Sequence, residues 1–359
     1  MVSPLGNTIK KGVSLIAYLL LPWRGRSSSS LTILTYHRIT DEPDPEDSLI
    51  VSLRSFEHQI IFLKRHYNVI PGEELAEIIK NGRSFPEKAC LITFDDGWRD
   101  NYTHAFPVLR AHGVPALIFI STDFIGTHNT FWHERLLKVL TNIPSHTPMS
   151  KYENIFKKLP EGLSEKIVRI LKMPVEHRRP GINALIEDLK KFDLAQISQI
   201  NRSLEVISDL RVSEESPTML LWEDVEEMSM NNISFGSHTK SHPILTQISD
   251  RQIKEELIES KGIIEDRLRK PVHFLCYPNG NYNEAILKMT EEAGYLAGFS
   301  CIPGINHSFE RRFEFKRRHI VEDFSLNLKG QFSELFFKVE LSGVRLALVG
   351  LVRKKEEVW

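Results

Sequence analysis

The chain has 359 residues, of which 41% are apolar and 26% are charged, and its formal net charge is −1. This composition is typical of a soluble globular protein, long enough for one large barrel domain or two smaller domains. The near-zero charge gives no reason to expect a nucleic-acid partner. The three cysteines are an odd number without tight spacing, which argues against a disulfide framework and favours a reducing compartment.

Residues 1–30 differ from the rest of the chain. Two lysines precede an apolar run over 13–21, and two arginines and a serine run over 27–30 follow it. The apolar run is too short to span a bilayer, and no small-residue cleavage site of a signal peptide follows it. We predict an amphipathic segment that packs on the domain or contacts a membrane surface, followed by a linker.

Strand and helix patterns alternate from Leu31 onward. Apolar and β-branched runs predict buried strands at 31–39, 67–70, 90–94, 116–120, 233–235, 274–277 and 297–301. Apolar residues at helical spacing predict intervening helices, one of them with Ser55 as its N-cap and others over 73–80, 102–111, 253–268 and 284–293. This alternation predicts parallel α/β packing.

Two regions depart from the alternation. Residues 127–217 lack strong strand signals, and leucines and isoleucines recur there at helical spacing, so we predict a helical insertion. Residues 326–359 are apolar with a basic end and predict a C-terminal helix. This helix would pack back on the domain or lie on anionic lipid.

The predicted strand at 90–94 ends in two adjacent carboxylates, Asp95 and Asp96, followed by Gly97. Glycine permits a tight turn, so one carboxylate can bind a metal while its neighbour reaches a substrate. The strand by itself does not decide which carboxylate does which. An ordinary β-turn after a strand is the alternative.

A second stretch carries His238 and His242, four positions apart. On a helical turn such residues share one face, and two imidazoles with one carboxylate form a common three-ligand zinc site. Two surface histidines near a turn are the alternative. A third stretch, YPNG at 277–280, follows a predicted strand, where loops carry the sites of barrel enzymes.

Together and in this order, these stretches resemble the motifs of the polysaccharide deacetylases, carbohydrate esterase family 4, which share a chitooligosaccharide-deacetylase-like domain. TFDDG at 93–97 matches the first motif, HTKSH at 238–242 the H-[ST]-x-x-H motif, and YPNG at 277–280 the core of the third. The resemblance covers residues 31–321 and is nearest to the permuted branch that deacetylates poly-N-acetylglucosamine. It implies a distorted (β/α)7 barrel, here over 31–325 with the 127–217 helical insertion.

The resemblance also implies a ligand set and roles. A divalent metal, zinc or chemically acceptable cobalt or nickel, would be held by Asp96, His238 and His242. Asp95 would act as the general base. The loop of Tyr277, Pro278, Asn279 and Gly280 would bind substrate, and the N–H at Asn279 would stabilise an oxyanion.

The general acid is left with two candidates. In the permuted branch this histidine lies in an N-terminal Tyr-His pair, which His37 matches here. The alternative is His319, in the KRRHIV stretch near the end of the domain.

Two positions depart from the family pattern. Cys276 stands where many members carry an arginine that contacts the base, and its usual partner carboxylate and tryptophan are not visible between Ala297 and Gly304. These departures leave the tuning of Asp95 open. Asn279 stands where an aromatic residue is common.

The resemblance implies a metal-dependent hydrolase that removes N-acetyl groups from an amino-sugar glycan or a lipid-linked saccharide. Trp132 and His133 of the insertion would contact sugar, although core packing explains them equally well. The cysteines and the segments at both ends predict a cytoplasmic protein that contacts the membrane peripherally. A catalytically silent glycan-binding protein of the same fold is the alternative.

Overall fold

The structure is a computed structural model that describes residues 13–16, 29–42, 47–144, 159–160, 162–208 and 218–344. The predicted N-terminal amphipathic segment and linker lie largely outside these ranges. So do the predicted tail beyond residue 344 and parts of the 127–217 insertion.

The described chain forms a closed parallel barrel. Its strands are β1 Leu31–Tyr36, β2 Arg38–Thr40, β3 Ile50–Ser52, β4 Asn68–Val69, β5 Ala89–Phe94, β6 Ala116–Ile120, β7 Ile233–Ser237, β8 Phe274–Cys276, β9 Ala297–Pro303 and β10 Phe315–His319. Seven strands close the ring in the order β1-β5-β6-β7-β8-β9-β10, because β1 pairs with both β5 and β10. The predicted (β/α)7 barrel is confirmed.

Helices connect most of the strands. Their bounds are α1 Leu53–His66, α2 Gly72–Lys80, α3 Phe106–His112, α4 Trp132–Asn142, α5 Leu163–Leu171, α6 Arg179–Leu189, α7 Leu194–Ser208, α8 Trp222–Ser229, α9 Asp250–Leu268, α10 Glu284–Glu292 and α11 Glu334–Ser342. β4 pairs with the start of β5, and β2 and β3 form a separate parallel pair. None of the helices in the described part of the chain is long and apolar enough to cross a bilayer.

The barrel interior changes from apolar to polar along its axis. Successive strand residues point to opposite faces, so Ile33 and Leu91 belong to the inner cluster whereas Leu34 and Ile92 pack outward against helices. Every second residue of a strand faces the barrel interior. At the carboxyl ends of β1, β5, β7 and β10 these inward-facing residues are polar, and they line one cavity: Thr35, His37, Asp95, His238, Arg317 and His319.

Several local predictions are corrected by tertiary contacts. His37 interrupts the predicted strand over 31–39, which ends at Tyr36 and resumes as β2. The N-cap of α1 is Ser52 and not Ser55, because the Ser52 hydroxyl accepts from the Ser55 N–H at 3.1 Å. Glu322 accepts from both serine hydroxyls and thereby fixes this start from far along the chain.

Strand β10 has no counterpart among the predicted elements. Four of its five residues are charged or titratable, a composition that does not predict a buried strand. It nevertheless closes the barrel between β9 and β1. Its Arg317 and Arg318 side chains are buried, at 2% and 4% exposure. Each is hydrogen-bonded to polar groups in the interior of the protein, Arg317 within the barrel and Arg318 at α11.

The insertion has an apolar core of its own, formed by α4 to α7. Its fully buried Arg178 donates hydrogen bonds to the carbonyls of Leu140, Ile143, Leu171 and Met173. These carbonyls lie at the carboxyl ends of α4 and α5, which have no further intrahelical donors. A single guanidinium thus replaces water at two helix ends.

Helix α11 packs back on the barrel, the first of the two arrangements predicted for the C-terminal segment. The Phe337 ring lies 5.4 Å from that of Phe62 on α1, and Arg318 donates to the Glu340 carbonyl at 2.9 Å. This contact holds for the described part of the segment, up to residue 344.

Candidate active site

The two adjacent carboxylates of the DDG stretch lie at the carboxyl end of β5. Asp95 continues the inward-facing series of that strand, and Asp96 has a left-handed backbone with φ of 78°. This turn lets Asp96 also face the cavity, which two successive residues of a regular strand do not do. Trp98 Nε1 donates to Asp96 Oδ2 at 3.0 Å and fixes that carboxylate.

The two motif histidines follow β7, but they converge through a loop and not through the predicted helical turn. Thr239 and His242 have positive φ of 67° and 58°, a conformation that residues other than glycine rarely adopt. His238 Nδ1 lies 2.8 Å from the Cys276 carbonyl, which leaves Nε2 facing the cavity.

Three ligand atoms meet at one point. Asp96 Oδ1 lies 3.4 Å from His238 Nε2 and 3.5 Å from His242 Nε2. The two imidazole nitrogens are 3.2 Å apart. A tetrahedral ion with bonds of roughly 2.1 Å separates its ligand atoms by about 3.4 Å, so the cluster fits a zinc-sized cation.

Asp95 takes part in a second buried cluster with Cys276 and His238. Both Asp95 oxygens, however, accept from Arg317, at 2.7 and 2.8 Å. Burial raises the pKa of the Cys276 thiol well above its usual value, so its sulfur stays protonated. Asp96 therefore offers the more suitable carboxylate for a metal, and Asp95 is held by a cation of the protein itself.

Arg317 sets the charge of Asp95. Burial alone raises the pKa of this carboxyl, but the Arg317 guanidinium outweighs burial and lowers it to about 2. The Arg317 guanidinium also lies 3.0 Å from Cys276 Sγ, at the position where many family members carry an arginine. The tuning of Asp95, which the sequence left open, thus comes from an arginine on β10.

His37 and His319 both reach the cavity, from β1 and β10. His37 Nε2 lies 4.0 Å from Asp95 Oδ2, and the two imidazole rings are 5.1 Å apart. Burial lowers the pKa of His319 to about 4, and its Nε2 lies 3.0 Å from the Ser48 carbonyl. Tyr36 points away from the site and donates to Gln59.

The YPNG stretch forms a short turn after β8. Tyr277 lines the cavity, with its hydroxyl bonded to the Phe313 carbonyl, and Pro278 is buried. Gly280 has a φ of 74°, and an added Cβ would meet the Cys301 side chain, so glycine is required there. Asn279 is exposed on the cavity side and accepts from Lys190 of the insertion at 2.8 Å.

The insertion forms the opposite wall of this cavity, which has a volume of about 710 Å³. Trp132 and His133 of α4 both line it. Burial lowers the pKa of His133 to about 4, so its ring is neutral at neutral pH. Trp132 also packs against the core of the insertion, so the two readings of this residue are compatible.

Residues 82–298 match the family model described as polysaccharide deacetylase. The chain belongs to the polysaccharide deacetylase family. This match covers more than half of the chain and includes the DDG, histidine and YPNG motifs. The family predicted from those motifs is confirmed.

Known proteins resemble this family member at low identity. It is 24% identical to the putative polysaccharide deacetylase YxkH of Bacillus subtilis over 277 residues, which are 77% of this chain and 66% of that protein. It is 29% identical to the poly-beta-1,6-N-acetyl-D-glucosamine N-deacetylase of Escherichia coli K12 over 97 residues, 27% of this chain and 14% of that protein. The chain therefore matches less than two thirds of either relative.

The fold of this deacetylase family member also resembles a solved structure. The Streptococcus pyogenes deacetylase PplD, determined in complex with acetate, has a TM-score of 0.54 and 19% identity, covering 83% of this chain and 95% of that one. At this identity the likeness concerns the fold.

Arg317 is the site residue that the sequence argument missed. The composition of β10 does not predict a strand, which obscures the alternation that turns Phe315, Arg317 and His319 inward. The available signal was that alternation itself, within a stretch already singled out for His319. It requires knowing that β10 lies between β9 and β1.

Proposed function

We propose that this family member is a metal-dependent carbohydrate deacetylase that hydrolyses the N-acetyl group of an amino sugar, releasing acetate and a free amine. One observation carries the proposal: an ionised, immobilised Asp95 stands beside a three-atom Asp96–His238–His242 cluster of metal-ligand spacing. Metal-assisted amide hydrolysis uses a base to activate water and a metal to polarise the carbonyl, and both would lie at the carboxyl ends of the barrel strands.

The cation would be held by Asp96, His238 and His242, with zinc first and cobalt or nickel as alternatives. When bound, such an ion polarises a carbonyl and lowers the pKa of water. The His238 Nδ1 contact with the Cys276 carbonyl and the Trp98 bond to Asp96 orient two of the ligands. Contacts of this kind hold ligand rings in position.

Asp95 would accept the proton of the attacking water. Arg317 holds both of its oxygens and keeps it ionised, so it is a positioned base. His37 would donate a proton to the departing nitrogen, from a ring on the same face of the barrel. His319 is the weaker candidate for this acid, because a pKa of about 4 leaves it unprotonated at neutral pH. The N–H at Asn279 would face the oxyanion.

The substrate would be an N-acetylated glycan or a lipid-linked precursor of one. The name of the E. coli relative gives the first polymer to test, β-1,6-linked N-acetylglucosamine. A cytoplasmic location with peripheral membrane contact stays a prediction.

The test is acetate release from N-acetylglucosamine oligomers by the purified chain, with metal content measured in parallel. His238→Ala and His242→Ala should lose metal and activity together, whereas Asp95→Asn should retain metal and lose turnover. His307→Ala, at an exposed position, is the matched control. Metal loss in Asp95→Asn with retention in Asp96→Asn would reverse the two roles, and glycan binding without acetate release would favour the silent alternative.

A further inference from the structure

The wall that the insertion adds to the cavity carries an apolar strip beside polar side chains, among them His133, Glu134 and Asn183. It presents side chains that are partly open to the cavity and that pack on the apolar core of the insertion from its edge: Trp132, Leu137, Ile186 and Phe192. Ala184 is exposed on the same wall, and Ile244 extends it from the barrel side. This surface shares one cavity with His238 and His242, so a bound substrate reaches both.

The charged groups around this wall are largely engaged with one another. Arg179 of α6 pairs with Asp47 of the barrel at 2.5 Å. Lys190 donates to Asn279 at 2.8 Å and to Glu187 at 2.7 Å. These contacts fasten the insertion across the cavity on two sides. Between these polar groups, the apolar strip presents aliphatic and aromatic carbon to a ligand.

The two ends of the cavity therefore suit different chemistry. The barrel end offers carboxylates, imidazoles and a guanidinium, which suit an acetamido sugar. A polar glycan chain lying on the apolar strip would lose hydrogen bonds to water that the carbon atoms of the strip cannot replace. An aliphatic chain there would be stabilised in proportion to the apolar area that it buries. The cavity volume of about 710 Å³ lies within the range that encloses most of a ligand with two such parts.

We propose that the insertion wall is a subsite for an aliphatic substituent, and that the substrate is an N-acetylated amino sugar carrying such a chain. This inference rests on the proposed deacetylase function and specifies its substrate class. The anomeric oxygen and another hydroxyl of the sugar are the two attachment points to test, and both place an alkyl group next to the acetamido ring.

The test compares acetate release from methyl and octyl β-glycosides of N-acetylglucosamine, below the micelle concentration of the octyl compound. We expect kcat/KM for the octyl glycoside to exceed that for the methyl glycoside by about tenfold or more, the equivalent of roughly two buried methylene groups. A methyl glycoside with a 6-O-octyl ether tests the second attachment point. A preference for either alkyl compound supports the subsite.

Variants test whether the preference for the octyl compound depends on the insertion wall. Ala184→Asp places a charge on the wall without removing packed core atoms, since Ala184 is exposed, and should bring the octyl-to-methyl ratio close to one. Ile186→Asn should lower the ratio similarly. Ile258→Asn on α9, where the side chain is 57% exposed away from the cavity, is the matched control and should leave the ratio intact. The methyl glycoside, measured on every variant, corrects for effects on folding and chemistry.

Equal rates for the methyl glycoside and both octyl compounds, an unchanged ratio in Ala184→Asp, or a larger gain from added sugar units than from the octyl chain would each overturn the subsite. Absence of acetate release from all compounds would count against the proposed function instead. In that case, calorimetric binding of the octyl against the methyl glycoside still tests the subsite, with the same Ala184→Asp and Ile258→Asn pair.

Discussion

The two walls of the cavity are built on opposite principles. On the barrel wall, Asp95, Asp96 and Arg317 are charged side chains with at most 5% exposure, and each is held by named polar partners. On the insertion wall, Leu137 and Ile186 are half-buried and have no polar atoms to satisfy. Fixed polar groups serve chemistry, because they need no reorganisation when charge develops. An apolar wall serves selection, because it distinguishes ligands by the carbon that they bury.

The comparison also concerns the stability of the barrel and that of the insertion. The barrel and the insertion have distinct apolar clusters, and they meet around the cavity through contacts such as Arg179–Asp47 and Lys190–Asn279. The difference suggests that the insertion can be weakened, or its wall changed, without dismantling the catalytic end. Four measurements, in order of decreasing expected effect, test this division.

The largest effect is expected on the barrel wall, at His37. His37→Ala should lower amide hydrolysis by about 10²–10⁴-fold if the ring is the general acid proposed above, since that is the usual cost of removing one. An acetyl ester with a good leaving group should be affected far less, since its leaving group needs little protonation. Metal content should be unchanged. His319→Ala is the comparison variant and should be mild; if it is the crippled enzyme and His37→Ala is near normal, the late histidine is the acid.

Arg317→Met tests whether the buried charges of the barrel wall depend on each other. The variant leaves the Asp95 carboxylate buried without its cation, which should lower the free energy of unfolding at pH 7 by about 3–5 kcal/mol. Denaturant titration measures it. The stability from this pairing is present above the unfolded pKa of Asp, about 3.9, and is lost as pH falls through the folded pKa of about 2.

A double variant and a control sharpen the Arg317 measurement. Asp95→Asn combined with Arg317→Met should be more stable than Arg317→Met alone, because no unpaired charge remains. Arg311→Met removes an exposed pair with Glu314 and should cost about 1 kcal/mol or less. Equal losses in Arg311→Met and Arg317→Met would show that the buried pair has no special role.

Arg178→Met addresses the insertion. Burying several helix-end carbonyls without a donor costs about 1–3 kcal/mol for each group that water does not reach, so we expect a local loss of about 3 kcal/mol. Hydrogen exchange should accelerate in α4 to α6 and stay slow in β5 and β7. Arg202→Met, on the exposed side of α7, is the control. Equal acceleration throughout the barrel would show that the two cores unfold as one unit.

The smallest effect is expected from the titration of His319. Burial lowers its pKa to about 4, so between about pH 6.5 and 4 the unfolded chain binds a proton that the native chain does not. Its contribution to stability is therefore full above pH 6.5 and is lost as pH falls toward 4. Between about pH 5.5 and pH 5, His319→Gln should reduce the acid destabilisation by about 1–2 kcal/mol. His307→Gln, at an exposed position, should leave it unchanged, and identical pH curves for the wild type and His319→Gln would contradict the buried, neutral assignment.

Much of the barrel and its ligand set was accessible from sequence. Strands such as β6, Ala116–Ile120, are continuous apolar runs, and such runs between helical patterns predict buried parallel strands directly. The DDG, HTKSH and YPNG motifs are local, so they identified Asp95, Asp96, His238 and His242 as one constellation through the family resemblance. A motif formed by residues close together in the chain can be identified from the sequence.

The tertiary structure decided the rest, because the deciding contacts are distant in sequence. The two carboxylates become distinct only when Arg317, 222 residues from Asp95, holds both oxygens of the first. The histidines converge through left-handed loop residues and not through a helical turn, and such backbone angles leave no composition signal at Thr239 or His242. The sequence by itself thus determined the fold and the candidate donors. Only the closure of the barrel decided which carboxylate pairs with Arg317 and which lies beside the two motif histidines.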